Sequence, residues 1–309
     1  MKKIVTLTLN PALDKSAKVE RLVADKKLRS FDIHFEPGGG GINVARAIDK
    51  LGGDAIAIYP KGGFTGDFFA SLLEKEKITQ KSIPVKETTR ENLMVVETST
   101  DQHFRFGMQG ASLSNQEIDQ LLELIKQENP EILVASGSLP PGLPEDFYSE
   151  IGKLAKEIDA QYILDTSGKA LKHGINNGVY LLKPNLSELS SLAGVESAEM
   201  EQVDDIARDL ISDNTCKAVA VSLGPRGAIL VTADTSEHIP SPPVHKKSVV
   251  GAGDSMVAGI VLKLAEGQDL KTVIRYGVAA GTAATITPGS ELCRPADVKN
   301  IYDWICKNS

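Results

Sequence analysis

Val249-Val250-Gly251-Ala252-Gly253-Asp254-Ser255-Met256-Val257-Ala258-Gly259 is an apolar run that halts at two glycines, admits an aspartate and resumes as a helix of small residues. A helix that starts there leaves its first backbone N–H groups without partners inside the helix. With the positive end of the helix dipole, those groups form an anion site. Asp254 puts a carboxylate beside it. An anion hole with a neighbouring base is the equipment for moving a phosphoryl group onto a hydroxyl. A plain capped helix start behind a glycine turn uses the same residues, so the rest of the chain has to decide.

Upstream of this segment, strand-like and helix-like stretches alternate. Strands are expected at 4–9, 54–59, 132–136, 162–165, 179–182, 218–222 and 228–232, with helices at 42–51, 66–76, 114–127, 144–157 and 200–212. The last third is mostly helical, at 252–266, 270–286 and 296–306. This rhythm predicts an α/β fold, a three-layer α/β/α domain around a mostly parallel sheet. Ligands of such sheets sit beyond the carboxyl ends of the strands, where the glycine-rich loops of this chain fall. No linker or repeat interrupts the pattern, so 1–309 reads as one domain.

Two regions break the rhythm. Phe31, Ile33 and Phe35 alternate with Asp32, His34 and Glu36; Phe104, Phe106 and Met108 alternate with His103 and Arg105. Period-two alternation means strands with one apolar face. We expect a small β lid, inserted at about 16–36 and 88–108, with a hairpin turning near Ser99–Gln102. An apolar lid face needs a cover. A second copy of the lid is the simplest one, which predicts a homodimer.

The net charge of −7 carries no basic run that would suit nucleic acid. Three cysteines, Cys216, Cys293 and Cys306, lack metal-like spacing and read as reduced thiols of a cytoplasmic protein. No apolar stretch approaches the roughly 18 residues of a membrane span. The short Ile4–Leu9 run, broken by threonines, reads as a first strand and not an export signal.

Several motifs fall on the expected ligand edge. Pro37-Gly38-Gly39-Gly40-Gly41-Ile42-Asn43 places four glycines before a helix. Glycine runs cost backbone entropy, so close approach of backbone to a ligand is the expected reason, with Asn43 reaching a sugar hydroxyl. The run is neither a dinucleotide fingerprint nor a Walker A loop. Asp14, after the first strand, is a turn former or a hydroxyl binder. In Lys183-Pro184-Asn185-Leu186-Ser187-Glu188, Asn185 and Glu188 share a helix face and suit Mg²⁺ through water, or simply cap the helix. Ser222–Gly227 is a hairpin or a phosphate-facing loop. Ser138, in Ser136–Gly142, is a candidate hydroxyl or phosphate donor. Arg90, Arg105 and Lys27, around the lid, would together clamp a sugar phosphate.

Taken in order, these motifs resemble the PfkB branch of the ribokinase-like carbohydrate kinases from Lys3 to the C-terminus. Phe35–Ile48, Ser136–Gly142 and Val250–Val257 carry the likeness most closely to the members that phosphorylate fructose 6-phosphate at its 1-hydroxyl with ATP. The related 1-phosphofructokinases and tagatose-6-phosphate kinases usually carry Lys in place of Gly40, but share an opening like Leu9–Asp14. The resemblance implies that Asp254 is the general base and that the N–H groups after Gly251, of Ala252, Gly253 and Asp254, hold the phosphoryl group. It implies Asp14, Gly39 and Asn43 on sugar hydroxyls, and Arg90, Arg105, Ser138 and Lys27 on the substrate phosphate. Lys183, Asn185, Glu188, Ser222, Gly224 and Gly227 would serve ATP, with Glu188 on its Mg²⁺. A K⁺ site is implied near Ser248, Val250, Ala284, Thr287 and Gly289. Glu291 departs from the pattern, standing where those relatives tend to have Arg. An inactive sugar-phosphate sensor on the same scaffold would not need the intact Asp254.

Overall fold

The computed structural model describes residues 1–213, 215–288 and 291–309. In chain order the elements are β1 (Ile4–Leu7), β2 (Ala12–Val19), β3 (Phe31–Gly38), α1 (Gly40–Lys50), β4 (Ile56–Lys61), α2 (Gly63–Lys75), β5 (Gln80–Pro84), β6 (Arg90–Glu97) and β7 (Gln102–Gly107). There follow α3 (Asn115–Glu128), β8 (Ile132–Ser136), α4 (Phe147–Glu157), β9 (Gln161–Asp165), α5 (Gly168–Gly174), β10 (Val179–Leu182), α6 (Leu186–Ala193) and α7 (Val203–Ser212). The last are β11 (Cys216–Ser222), β12 (Ala228–Val231), β13 (Ser236–Ile239), α8 (Ala252–Ala265), α9 (Leu270–Thr285) and α10 (Pro295–Asn308).

Among the described residues nine strands form the main sheet, in the order β13-β12-β11-β10-β9-β8-β1-β4-β5. From β11 to β5 all neighbours are parallel, and β12 and β13 add an antiparallel edge. β8 shows why its sequence is continuously apolar. Ile132 and Val134 face the core under α1, α8, α9 and α10; Leu133 and Ala135 face the core under α3, α4 and α7. A strand buried on both faces has no solvent side to carry polar residues. Each Ile, Leu or Val of such a strand contributes about 1.5–3 kcal/mol of burial.

α8 is buried on nearly all sides, from Ser255 to Leu262. Its small residues let α9 come close. A Cβ on Gly259 would lie 3.0 Å from the Ala280 Cβ and the Tyr276 carbonyl oxygen, and one on Gly277 would lie 2.6 Å from the Ile260 side chain.

The separate lid sheet runs β3-β2-β6-β7, with β2 and β6 parallel. It begins at Ala12, earlier than the sequence suggests, so Asp14 lies on a lid strand and not in a turn of the main sheet. The simple alternation expected across 31–36 is also broken. Register shifts between Ser16 and Lys18, and Asp32 has φ 53° and pairs with Lys18 at 2.7 Å. β5, β13 and α5 are further elements that periodicity does not announce; β5 is mostly polar and buries only Ile83 fully.

Candidate active site

Parallel pairing brings the carboxyl ends of β1, β8, β9, β10 and β11 to one edge. The glycine run is wedged into it. A Cβ on Gly41 would lie 2.6 Å from the Leu7 carbonyl oxygen, one on Gly40 2.2 Å from Ser136 Oγ, and one on Gly38 2.0 Å from Asp14 Oδ2. The glycines therefore answer to close approach of the protein's own strand ends, and not only to a ligand as the sequence suggested. The Ile42 N–H donates to Thr8 Oγ1 at 2.8 Å, which pins the start of α1 to the end of β1.

Gly251 turns into α8 with φ 73°, the left-handed region that favours glycine. The first intrahelical bond is from Ser255 N–H to the Gly251 oxygen, at 2.8 Å. The Gly253 and Asp254 N–H groups precede it. The Ala252 N–H leans back toward the Val249 oxygen at 3.4 Å, so it is less free than the Gly253 and Asp254 N–H groups.

The Asp254 carboxylate accepts from Asn43 Nδ2 at 2.8 Å. Burial, with the negative Asp165 and Asp14 nearby, pushes its pKa up to about 7 against the pull of Asn43 and Lys183. Lys183 is buried and pairs with Asp165 at 3.4 Å. Burial works against its charge, but Asp165, Glu188 and Asp254 outweigh this and hold its pKa above the ordinary lysine value. Its Nζ would lie 4.0 Å from a Cβ on Gly253. Asp165 also accepts from Ser136 Oγ at 3.2 Å. Sequence reasoning overlooked Asp165, although its place at the carboxyl end of a strand was the available signal.

Beneath the lid lies a cavity of about 320 Å³. It brings together Asp14, Arg90 and Arg105 from the sequence reading with the unanticipated Asn92 and Glu36. Asn92 Nδ2 donates to Asp14 Oδ1 at 2.8 Å. Burial, more than the neighbouring Glu36, raises the Asp14 pKa against Asn92 and Arg90. Arg90 donates through Nη1 to the Met108 oxygen and through Nη2 to the Asn10 oxygen, each at 3.1 Å. Its buried Nε has no hydrogen-bond partner among the described residues. Arg90 thus ties the lid to the main domain as well as facing the cavity.

Other expected residues are placed elsewhere. Lys27 sits on the exposed connection between β2 and β3 and does not line the cavity. Ser138 does not line it either, and accepts from Asn10 Nδ2 at 3.1 Å. Gly39, with φ 119°, caps α1.

A second cavity, of about 440 Å³, is lined by Lys183, Ser222, Gly224, Gly227, Ala252 and Gly253, with Val249, Met256 and Val278 supplying apolar wall. Val250 lines the first cavity and Gly253 the second, so the start of α8 stands between them. Asn185 and Glu188 do not line the second cavity; they form a reciprocal cap on α6, each accepting from the other's N–H at 2.9 Å. Of the residues near the expected cation site, the Thr287 hydroxyl donates to the Ala284 oxygen at 2.8 Å and lies 2.9 Å from the Leu292 oxygen, and Ser248 N–H reaches the Thr285 oxygen at 3.2 Å. The Val250 N–H donates to Ser248 Oγ at 3.1 Å. Gly289 lies outside the described residues. Glu291 pairs with Arg294 at 2.6 Å, and its backbone oxygen accepts from Lys50.

Comparison with known proteins gives a consistent picture. The profile described as "pfkB family carbohydrate kinase" matches residues 4–297. The ATP-dependent 6-phosphofructokinase isozyme 2 of Escherichia coli (strain K12) is 42% identical over 99% of this chain and 100% of its own. The crystal structure of phosphofructokinase-2 from Escherichia coli in complex with fructose-6-phosphate is similar at TM-score 0.92 and 41% identity, over 99% of this chain and 100% of that one. Its complex with potassium is similar at TM-score 0.95 and 42% identity, with the same coverage.

Proposed function

The chain belongs to the pfkB family of carbohydrate kinases, and on that premise we propose that it transfers the γ-phosphoryl group of ATP to the 1-hydroxyl of fructose 6-phosphate. The observation that carries this reading is the start of α8 standing between two cavities, one under the lid that gathers Arg90, Arg105, Asp14 and Asn92, the other lined by Lys183, Ser222, Gly224 and Gly227. The phosphosugar occupies the first. Asp14 and Asn92 hydrogen-bond its hydroxyls, and Arg90 and Arg105 face its phosphate. ATP occupies the second, with its phosphates directed at Lys183 and the Gly253 and Asp254 N–H groups.

Asp254 takes the proton of the acceptor hydroxyl as the oxygen attacks the γ-phosphorus. A base with a pKa near 7 is matched to that task at neutral pH. The N–H groups and the Lys183 ammonium meet the charge that develops on the phosphoryl oxygens. A lid closed over the sugar excludes water, the competing acceptor.

Bound with the nucleotide, Mg²⁺ would neutralise phosphate charge. The α6 cap uses Asn185 Oδ1 and one Glu188 oxygen, and the second Glu188 oxygen suits a water-mediated contact with the ion. K⁺ would suit the end of α9, where the Ala284 and Thr285 carbonyl oxygens, which accept from Thr287 and Ser248, lie at the negative end of the helix.

The test is ADP release with Mg·ATP and K⁺, with fructose 6-phosphate, tagatose 6-phosphate, fructose 1-phosphate and free fructose offered separately. A kcat/KM highest for fructose 6-phosphate supports the reading. Preference for another phosphosugar would leave the mechanism standing and change the substrate. Turnover of free fructose alone would sink the phosphate clamp.

A further inference from the structure

We propose that Arg46, which touches neither cavity, is a positioning residue for the transfer: it fixes the Asn43 amide against Asp254 and clamps the end of the lid strand to the same point. The inference rests on Asp254 acting as the base.

Arg46 is a charged side chain sealed inside the protein, 4% exposed. A buried guanidinium is costly unless its donors are met. Here each arm is engaged. Nε and Nη2 donate to the two oxygens of Glu76, at the end of α2, at 2.7 and 2.8 Å. This fork-to-fork pair fixes the plane of the guanidinium. The remaining arm, Nη1, then points at two acceptors: the Pro37 oxygen at 3.1 Å and Asn43 Oδ1 at 3.5 Å. Nη2 also lies 3.8 Å from Glu36 Oε1, a residue of the sugar cavity.

The consequence lies in the Asn43 amide, whose two ends differ in sign. Arg46 and Asn43 are three apart on α1 and so share a face. A cation beside Oδ1 holds the oxygen toward Arg46 and leaves Nδ2 toward Asp254, where it donates at 2.8 Å. With the amide reversed, an oxygen would face the carboxylate and a donor would face a guanidinium. The Pro37 contact adds the second function, because Pro37 is the residue of β3 just before the glycine run. One buried cation thus ties α2, the lid, the glycine run and the base.

The measurement is steady-state kinetics and a pH profile on the full chain with Mg·ATP and fructose 6-phosphate. Lysine in Arg46→Lys keeps the charge but cannot serve Glu76, Pro37 and Asn43 together. We expect kcat to fall about 10- to 100-fold, as for a misplaced reacting group, with the KM for ATP nearly unchanged. Asp254 is faced by Asn43 from α1, Asp165 from β9, Lys183 after β10 and Asp14 from β2. Arg46→Lys keeps the cation that also acts on Asp14, so the Asn43 contribution is the main one to change and the acid limb of kcat/KM should move to higher pH. In an Asn43→Ala background, Arg46→Lys should move the limb no further. The paired variant Arg46→Met/Glu76→Leu removes both charges together and is read in the same way if the single variant folds poorly. An unmoved limb with wild-type kcat overturns the inference, and so does an equal loss in the Asn43→Ala background. Asp254→Asn separates the two readings: if it remains active, the base assignment itself fails; if it is inactive while Arg46→Lys is normal, only the role of Arg46 fails.

Discussion

The Asn43 amide donates to Asp254 Oδ2 at 2.8 Å across 211 residues of chain. Each residue lies in the first turn of a helix that follows a glycine with positive φ, Gly39 at 119° and Gly251 at 73°. Two helix starts are thereby aimed at one point. The pairing favours the ionised carboxylate, while burial favours the protonated one. The base is held between these, near neutrality.

Asp254→Asn should lower kcat by about 10²- to 10⁴-fold, the range for loss of a positioned base. It should also stabilise the protein. The folded-state pKa lies above the unfolded value, so the folded state binds more protons, and native stability falls as pH rises from about 4 through about 7. Removing the carboxylate recovers up to about 4 kcal/mol at pH 8, three pKa units at about 1.4 each, and almost nothing near pH 3. Thermal melts of the two proteins at pH 8 and pH 4 test this; an equal Tm at pH 8 would show that Asp254 is not strained by its surroundings.

The acid limb of kcat/KM should report this carboxylate, with activity rising through about pH 7 as it ionises. Lys183 lowers the Asp254 pKa and Asp165 raises it. Lys183→Met should move the limb to higher pH and Asp165→Asn to lower pH. A pH–rate series on the three proteins decides, and shifts of the same sign would contradict the assignment.

The main layers were legible in the sequence because their signals are local. The run Ile132–Ala135 announces a strand covered on both sides, and the helix expected at 114–127 is α3, which the structure opens with a reciprocal cap between Ser114 and Glu117. The α8 segment was legible for the same reason. The sugar cavity was only partly so. Asp14 meets Asn92 through a parallel pairing of β2 and β6, separated by 78 residues, and no periodicity encodes that register. Arg90 shows the limit most clearly. Its charge was visible, but its use of two arms on backbone oxygens depends on where Asn10 and Met108 come to lie.

The glycine run can be tested by volume. A Cβ on Gly40 would sit 2.2 Å from Ser136 Oγ and 2.8 Å from the Gly137 nitrogen. Gly40→Ala should cost about 1–3 kcal/mol, the usual penalty of overpacking, and lower kcat by pushing β8 away from α1. Adding Ser136→Ala removes the first clash and leaves the backbone one. Denaturant melts should therefore show partial recovery in the double variant, and full wild-type stability in Gly40→Ala would refute the steric account.

The lid exposes Phe31 (50%), Ile33 (47%), Phe106 (50%) and Met108 (51%). A second copy of the lid covers this surface in the homodimer we propose. Phe31→Glu places a charge on it, away from both cavities. Light scattering should find a dimer for the wild type and a monomer for the variant; a wild type that is monomeric at micromolar concentration would dispose of the idea.

Arg90 and Arg105 line the same cavity but should fail differently. Arg105 is exposed on β7, whereas Arg90 joins the lid to Asn10. Arg105→Ala should remove one charge-assisted contact, worth about 1.5 kcal/mol at the low end for an exposed site, and so raise the KM for fructose 6-phosphate about tenfold with Tm unchanged. Arg90→Ala should raise it at least as much and also lower Tm, because two backbone oxygens lose their donor. With free fructose as acceptor, Arg105→Ala should leave KM as it was, since there is no phosphate to miss. A KM for free fructose that rises in parallel would mean that Arg105 shapes the cavity without reading the phosphate.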